Sequence, residues 1–346
     1  MQRIDMGITL EASIMKKDNR IEYIDIFRSL GIIIMIMGHI GFGKAFDYWI
    51  HAFHMPMFFW ISGFLFKHKS KSELSFQALV FKKAKTLLLP YAVFGIAHYL
   101  LYVCINHKDI DISPLIHLVS VNTEGLPICG ALWFLTALFF TDILFFIIER
   151  SVASEPLKAI IIALLSLAGN LNQIFFSFTL PFALGPALVS LGLYYIGHLC
   201  RKYAESKVVH RVFNLPWIPT ILLGIITAIL IFLNGYINMR AEIYAVIPLF
   251  WVNAVLAVIV GVNFSKLLHQ YIRNGIVEKW LVSISTESIV YVCLNQVVIS
   301  VVAKATQMVH MPVYLSSVFN LVITMALLWI ISKIIVNTKL KRLIGK

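Results

Sequence analysis

The stretch Phe27–Gly43, FRSLGIIIMIMGHIGFG, decides how the chain is read. An arginine opens it, a histidine stands near its end, and the ten residues between carry no charge. A helix rises about 1.5 Å per residue, so a run of this kind reaches most of the way through a hydrocarbon core of about 30 Å. Arg28 and His39 are the costly exceptions, because ionisable groups at membrane depth face a bundle interior or a wet cavity unless they sit at an interface. At 100° per residue, eleven residues bring both side chains onto one helix face, separated by about 16 Å along the axis. Asp25, three residues before Arg28, is placed to pair with it. The plainer reading keeps Arg28 at the inner interface and His39 at the outer one.

The rest of the chain supports a membrane reading. Of 346 residues, 60% are hydrophobic and 13% charged, where soluble domains run near 45–50% apolar and about 25% charged. Apolar runs predict an all-α polytopic membrane protein with ten spans, near 24–43, 50–66, 87–106, 128–149, 157–176, 180–199, 216–234, 243–263, 281–303 and 313–336. With the N-terminus inside, the outer loops hold only Lys44, Lys108, Arg240 and Lys304 of the 29 Lys and Arg. That bias predicts both termini in the cytoplasm and a multi-pass protein of the cytoplasmic membrane. The net charge of +12 is then a topology signal, and no nucleic-acid partner is expected. The segment before Ile24 is polar without a cleavable signal pattern, so the first apolar helix is expected to direct insertion. Cys104, Cys129, Cys200 and Cys293 are scattered and give neither a disulfide framework nor a zinc pattern. No linker or repeat divides residues 1–346. They read as one transmembrane domain with a cytoplasmic segment 1–23 and a basic tail 337–346.

Further polar residues lie in the apolar runs. HAFHMPMFFWISGFLF carries His51 and His54 as i,i+3 neighbours, with Pro56 weakening the helix and Ser62-Gly63 allowing close packing. Imidazoles suit zinc, but no acidic or thiolate ligand joins His39, His51 and His54 at a telling spacing, so no metal is expected. KKAKTLLLPYAVFG sets Lys82, Lys83 and Lys85 at the entry to the third span, as a positive-inside anchor and as a site for an anion arriving from the cytoplasm. ALWFLTALFFTDILFF carries Trp133 and Asp142, and SISTESIVYVCLNQ carries Glu287, Asn295 and Gln296. Asn253 and Glu242 are weaker cases. Asp25, His51, His54, Lys82, Lys83, Lys85, Trp133, Asp142, Glu287 and Asn295 are therefore the candidate binding residues beside Arg28 and His39.

Taken together, YIDIFRSLGIIIMIMGHI (Tyr23–Ile40), HAFHMPMFFWISGFLF (His51–Phe66), KTLLLPY (Lys85–Tyr91) and LWFL (Leu132–Leu135) resemble the membrane acyltransferase 3 family, and within it the fucose 4-O-acetyltransferase-like group. An arginine, ten residues and a histidine are a hallmark of that family. The resemblance implies a ten-helix core that moves an acyl group, usually acetyl, from cytoplasmic acyl-CoA to a glycan hydroxyl. Acetyl-CoA is then the donor, and capsular, lipopolysaccharide, peptidoglycan or secreted sugars are the acceptors. It also implies a catalytic His39 and an essential Arg28. Helix nine of the family often carries a pattern like YLLHQPV. Here the stretch is YVCLNQVVI, with Asn295 in place of histidine, and an amide cannot take a proton near neutral pH.

A sugar hydroxyl is a poor nucleophile, and a histidine general base is the expected remedy, with direct transfer simpler than an acyl-histidine intermediate. A transporter or flippase for a lipid-linked sugar would share the polar interior and broken helix, but would release no CoA. A structural or sensory protein would leave Arg28, His39, His51 and His54 unexplained.

Overall fold

The structure is a computed structural model, and it describes residues 20–66, 75–106, 111–125, 130–176, 178–307 and 312–346. The basic residues Arg3, Lys16, Lys17, Lys67, Lys69, Lys71 and Lys108, together with Cys129, lie outside the described residues. Helices dominate. In chain order they are α1 (Glu22–Ile40), α2 (Lys44–His51), α3 (His54–Phe64), α4 (Phe76–Asn106), α5 (Ser113–Leu118), α6 (Trp133–Ser151), α7 (Glu155–Phe175), α8 (Leu184–Lys202), α9 (Lys207–Val212), α10 (Trp217–Asn234), α11 (Ile247–Ile272), α12 (Ile276–Thr286), α13 (Ser288–Gln307) and α14 (Val313–Asn337). A two-residue antiparallel hairpin, β1 (Ile237–Asn238) and β2 (Ile243–Tyr244), joins α10 to α11.

Eight of these helices are long and apolar enough to cross a membrane: α1, α4, α7, α8 with its leading turn, α10, α11, α13 and α14. The chain is an all-α polytopic membrane protein. Helix α6 matches α1 in length at 19 residues but carries Asp142, Glu149 and Arg150. The expected span 50–66 is not one helix. It is split by Ala52-Phe53 into α2 and an 11-residue α3, too short to cross by itself. Pro56 falls in the first turn of α3, where its missing N–H removes no helical bond, so it opens the helix and does not weaken it. The expected span 281–303 breaks at Glu287, which leaves the α region between α12 and α13. Within α4, residues Ala84–Leu88 form a π-helical turn that carries Lys85.

Local chemistry explains several boundaries. Ser75 caps α4 and Ser154 caps α7 by accepting backbone N–H groups of Ala78 and Leu157. Helix α1 stops because Gly41 and Gly43 take φ values of 92° and 105°, a region that only glycine enters freely.

Helix α3 is buried on every side from His54 to Ile61, so other helices wrap it. Its tightest contact is with α8. A Cβ on Gly63 would strike the carbonyl oxygen of Tyr194, and one on Gly197 would strike that of Trp60. The small residue expected to allow close packing at position 63 does so, and Gly197 answers it from the partner helix. Helix α1 packs among α3, α11, α12, α13 and α14, and so stands in the middle of the bundle.

Candidate functional site

The last turn of α1 places His39 against a cavity of about 180 Å³ lined also by His51, His54, Trp133, Arg240 and Gln296. His39 is an exposed residue of α1 whose Nδ1 bond is half-buried, and this cavity is the space it opens into. Its Nδ1 lies 2.6 Å from Asn295 Oδ1 on α13. Asn295 is fully buried, and its amide nitrogen donates to the carbonyls of Tyr291 (2.9 Å) and Val292 (2.8 Å). Those two bonds turn the amide so that its oxygen faces the imidazole. An oxygen can only accept, so His39 Nδ1 is the donor, and in the neutral ring the lone pair then sits on Nε2.

The other two histidines show the same arrangement. His51 Nδ1 lies 2.8 Å from the Asp47 carbonyl and 3.2 Å from its carboxylate. His54 Nδ1 lies 2.7 Å from the Ile50 carbonyl. The His51 and His54 rings meet edge to face at 5.2 Å. The turn between α2 and α3 makes this possible, since both histidines hold i−4 carbonyls of α2, His51 from within that helix and His54 from across the turn. Among the described residues, the His, Asp and Glu ligand atoms that gather within 4.8 Å of one another are those of Glu22, His269 and Glu278, at the opposite end of α1. His39, His51 and His54 form no such group.

The hairpin between β1 and β2 supplies a cation. Arg240 Nε donates to the Thr123 carbonyl at 2.5 Å. Gln296 accepts the Gly130 N–H at 2.8 Å. Arg240 and Gln296 close over Gly130 so tightly that a Cβ there would lie 2.7 Å from Arg240 Nη1 and 3.0 Å from Gln296 Nε2. Arg240 read from sequence as one of four outer-loop cations and Gln296 only as a polar neighbour of Asn295. The scarcity of cations on that side is the signal that singles Arg240 out. Glu242 steadies the same hairpin: it accepts from Asn172 Nδ2 at 2.9 Å, and burial pushes its carboxyl up from the ordinary range against that donation.

Arg28 is elsewhere. It shares a face with His39 as the spacing predicts, but it does not line the cavity. Its guanidinium reaches Ser285 Oγ on α12 at 3.4 Å. The expected Asp25–Arg28 pair is relayed: Ser285 donates to Asp25 Oδ1 at 2.6 Å, while Asp25 Oδ2 pairs directly with Arg20. Arg20 also donates to Thr286 Oγ1 at 2.6 Å. Both arginines reach α12, Arg20 from before the start of α1 and Arg28 from within it, and it is Arg20 that meets the carboxylate directly.

The remaining expected residues divide. Trp133, the first residue of α6, joins the His39 cavity. Lys83 and Asp142 are brought to each other, at 2.7 Å, and Tyr194 donates to the second Asp142 oxygen at 2.7 Å. They tie α4, α6 and α8 together away from the cavity. Lys82 and Lys85 are exposed at the same end as Arg20. Glu287, buried at the α12–α13 break, accepts from Ser332 and pairs with Lys333 of α14, each at 2.5 Å.

A family profile described as Acyltransferase domain matches residues 21–335, nearly the whole bundle. No curated protein matches the chain. The profile runs from the first turn of α1 through α14 and so includes the His39 cavity, the Arg28 relay and the π-helical turn of α4 in one unit: the chain belongs to this acyltransferase family.

Proposed function

We propose that this membrane acyltransferase moves an acyl group, acetyl in the simplest case, from acyl-CoA to a hydroxyl of a glycan, with His39 Nε2 as general base. The observation that carries the reading is the His39–Asn295 hydrogen bond, which leaves one basic nitrogen directed at a cavity. In the proposed step, Nε2 takes the proton of the acceptor hydroxyl as its oxygen attacks the thioester carbonyl. The tetrahedral oxyanion then collapses, the carbon–sulfur bond breaks, and the proton passes from imidazolium to the CoA sulfur. The products are an ester and free CoA thiol, with the histidine restored. Positioned proton transfer of this kind supplies about 10²–10⁴ in rate.

Arg240 is the cation at the cavity and is assigned to the oxyanion. Trp133, Phe134 and Phe58 supply the aromatic wall that the apolar face of a sugar ring would meet. Asparagine at position 295 fits a helper that orients and does not titrate. Arg28, Lys82 and Lys85 are assigned to the donor's phosphates on the cytoplasmic side, in keeping with the charge bias of the loops.

The test is a thiol-release assay on the purified protein with acetyl-CoA and a panel of oligosaccharides. Acceptor-dependent release that His39→Ala abolishes, in protein that still elutes as a folded species, supports the reading. Release unchanged by His39→Ala removes His39 from the chemistry. No release with any hydroxyl acceptor returns the transporter reading.

A further inference from the structure

Two cavities lie on a face of α1 that the His39 chemistry does not use. The first, about 220 Å³, opens at the basic end between α1, α3, α8, α9 and α11. Its lining holds Arg201 and Lys266 and includes no Asp or Glu. Lys266 Nζ donates to the Phe213 carbonyl at 2.8 Å and Asn214 Oδ1 at 3.1 Å, and stands 4.8 Å from the centre of the Tyr23 ring. Arg201 lies over Phe64 at 5.5 Å. Both cations are thus held by neutral oxygens or aromatic faces, and among the described residues neither pairs with a carboxylate.

The second cavity, about 260 Å³, lies deeper, between α1, α3, α10 and α11. Its walls are Phe27, Ile34, Phe53, Met57 and other apolar groups, and Thr227 turns its hydroxyl away to the Leu223 carbonyl at 2.7 Å. The cavities are neighbours: Phe27 of the apolar one packs edge to face, at 6.4 Å between ring centres, on Trp60 of the basic one. Two helical stripes run through both. On α1 the stripe is Tyr23, Phe27, Gly31 and Ile34, and on α3 it is Met57, Trp60 and Phe64. These spacings of three and four keep each stripe on one helix face. Tyr23 to Ile34 spans about 16 Å, close to the half-thickness of a bilayer core.

We infer that these neighbouring cavities form a binding site for one anionic phospholipid, its phosphate between Arg201 and Lys266 and one acyl chain passing the Phe27–Trp60 contact to lie along the α1 stripe in the apolar cavity. Charge complementarity decides the headgroup. A zwitterionic lipid would bring its own ammonium to a site that already holds two cations and no acid. A soluble phosphate compound would leave the apolar cavity without a role. The site stands apart from the acyl-transfer reading, because the stripe that carries Arg28 and His39 lies about 100° around α1.

The experiment is native mass spectrometry of the delipidated full-length protein, titrated with phosphatidylglycerol or phosphatidylcholine of identical chains. The expected result is at least tenfold preference for phosphatidylglycerol. Arg201→Gln is expected to reduce that preference severalfold, and Arg201→Gln with Lys266→Gln to remove it. Gly224→Leu fills the apolar cavity from α10, where a Cβ meets only Val260 Cγ1 at 3.5 Å, and replaces a poor helix former by a good one. It is expected to weaken phosphatidylglycerol tenfold. Equal binding of the two lipids, or binding unchanged by Arg201→Gln, overturns the proposal. So does displacement of phosphatidylglycerol by millimolar inorganic phosphate or ADP whose own binding Gly224→Leu leaves intact, since the ligand would then be a soluble phosphate. No arm reads acyl transfer, so failure here leaves the proposed activity standing.

Discussion

Asn295 holds the His39 ring from α13 at 2.6 Å, across a gap of 256 positions in the chain, and its own amide is locked by two carbonyls of its helix. Asn295→Leu removes the acceptor without adding charge. The expected outcome is a fall of about 10–100-fold in kcat with the KM for acetyl-CoA unchanged. Asn295→Asp keeps an acceptor at that position and is expected to retain more activity than Asn295→Leu. Steady-state kinetics on both variants checks this. Equal losses in both would mean that the position matters for packing alone.

Arg240 reaches the cavity from a hairpin, and its Nε donates to the Thr123 carbonyl. Arg240→Gln is expected to cost about 10²–10³ in kcat if the guanidinium stabilises an oxyanion. Arg240→Lys should recover little, because a lysine cannot hold Thr123 and aim a second nitrogen at the cavity. A change in acceptor KM alone would instead place Arg240 in sugar binding.

Helices α3 and α8 touch backbone to side-chain position at Gly63 and Gly197. Backbone cannot shift as a flexible side chain can. Gly63→Ala and Gly197→Ala are each expected to destabilise by about 1–3 kcal/mol, seen as a lower midpoint in thermal unfolding of the purified protein. Gly224→Ala, with room beside it, should leave the midpoint unchanged or raise it.

Lys83 and Asp142 form a pair that is buried on the aspartate side. Lys83→Met strands the carboxylate and is expected to cost about 3–5 kcal/mol. Lys83→Met with Asp142→Asn should cost less than Lys83→Met alone. Lys82→Gln, one position away and exposed, should have no effect on unfolding. A double-mutant cycle on unfolding midpoints reads the difference.

Glu242 is more easily protonated in the folded hairpin than in an unfolded chain, because burial raises its pKa more than the Asn172 donation lowers it. The folded state then binds the extra proton. Its contribution to stability is full below the ordinary carboxylate pKa and is lost as pH rises through the folded value. Glu242→Gln is expected to flatten that part of the stability–pH curve and to stabilise the protein at neutral pH. Unfolding midpoints from pH 4 to 8 for both proteins check it.

Much of the bundle was legible from hydropathy, because in lipid the backbone must bond within its own segment and long apolar runs have little choice but helix. The boundaries of α7, α10 and α14 fall within two residues of the expected ones. The interrupted elements were not legible. A break at Ala52-Phe53 or Glu287 leaves no trace in mean hydropathy, since α3 and α13 are as apolar as a full span. The His39 cavity was half visible. His39, His51, His54, Trp133 and Asn295 stood out as polar or amphipathic residues in apolar runs. Arg240 and Gly130 did not, because only the folded hairpin brings residue 240 over residue 130. Asp142 and Glu287 looked like site residues for the reason that any buried carboxylate does, and their cationic partners, Lys83 and Lys333, come from other helices.

The glycines at 41 and 43 end α1 one residue beyond His39, and the Asn295 bond fixes how the ring is turned. The imidazole therefore presents a single edge. A donor and an acceptor that both need that edge have to crowd in beside one another, and neither can be served from behind. Initial-rate plots at varied donor and acceptor should accordingly intersect, the mark of a ternary complex, where parallel lines would signal an acylated enzyme that lets its first product go before the second substrate arrives.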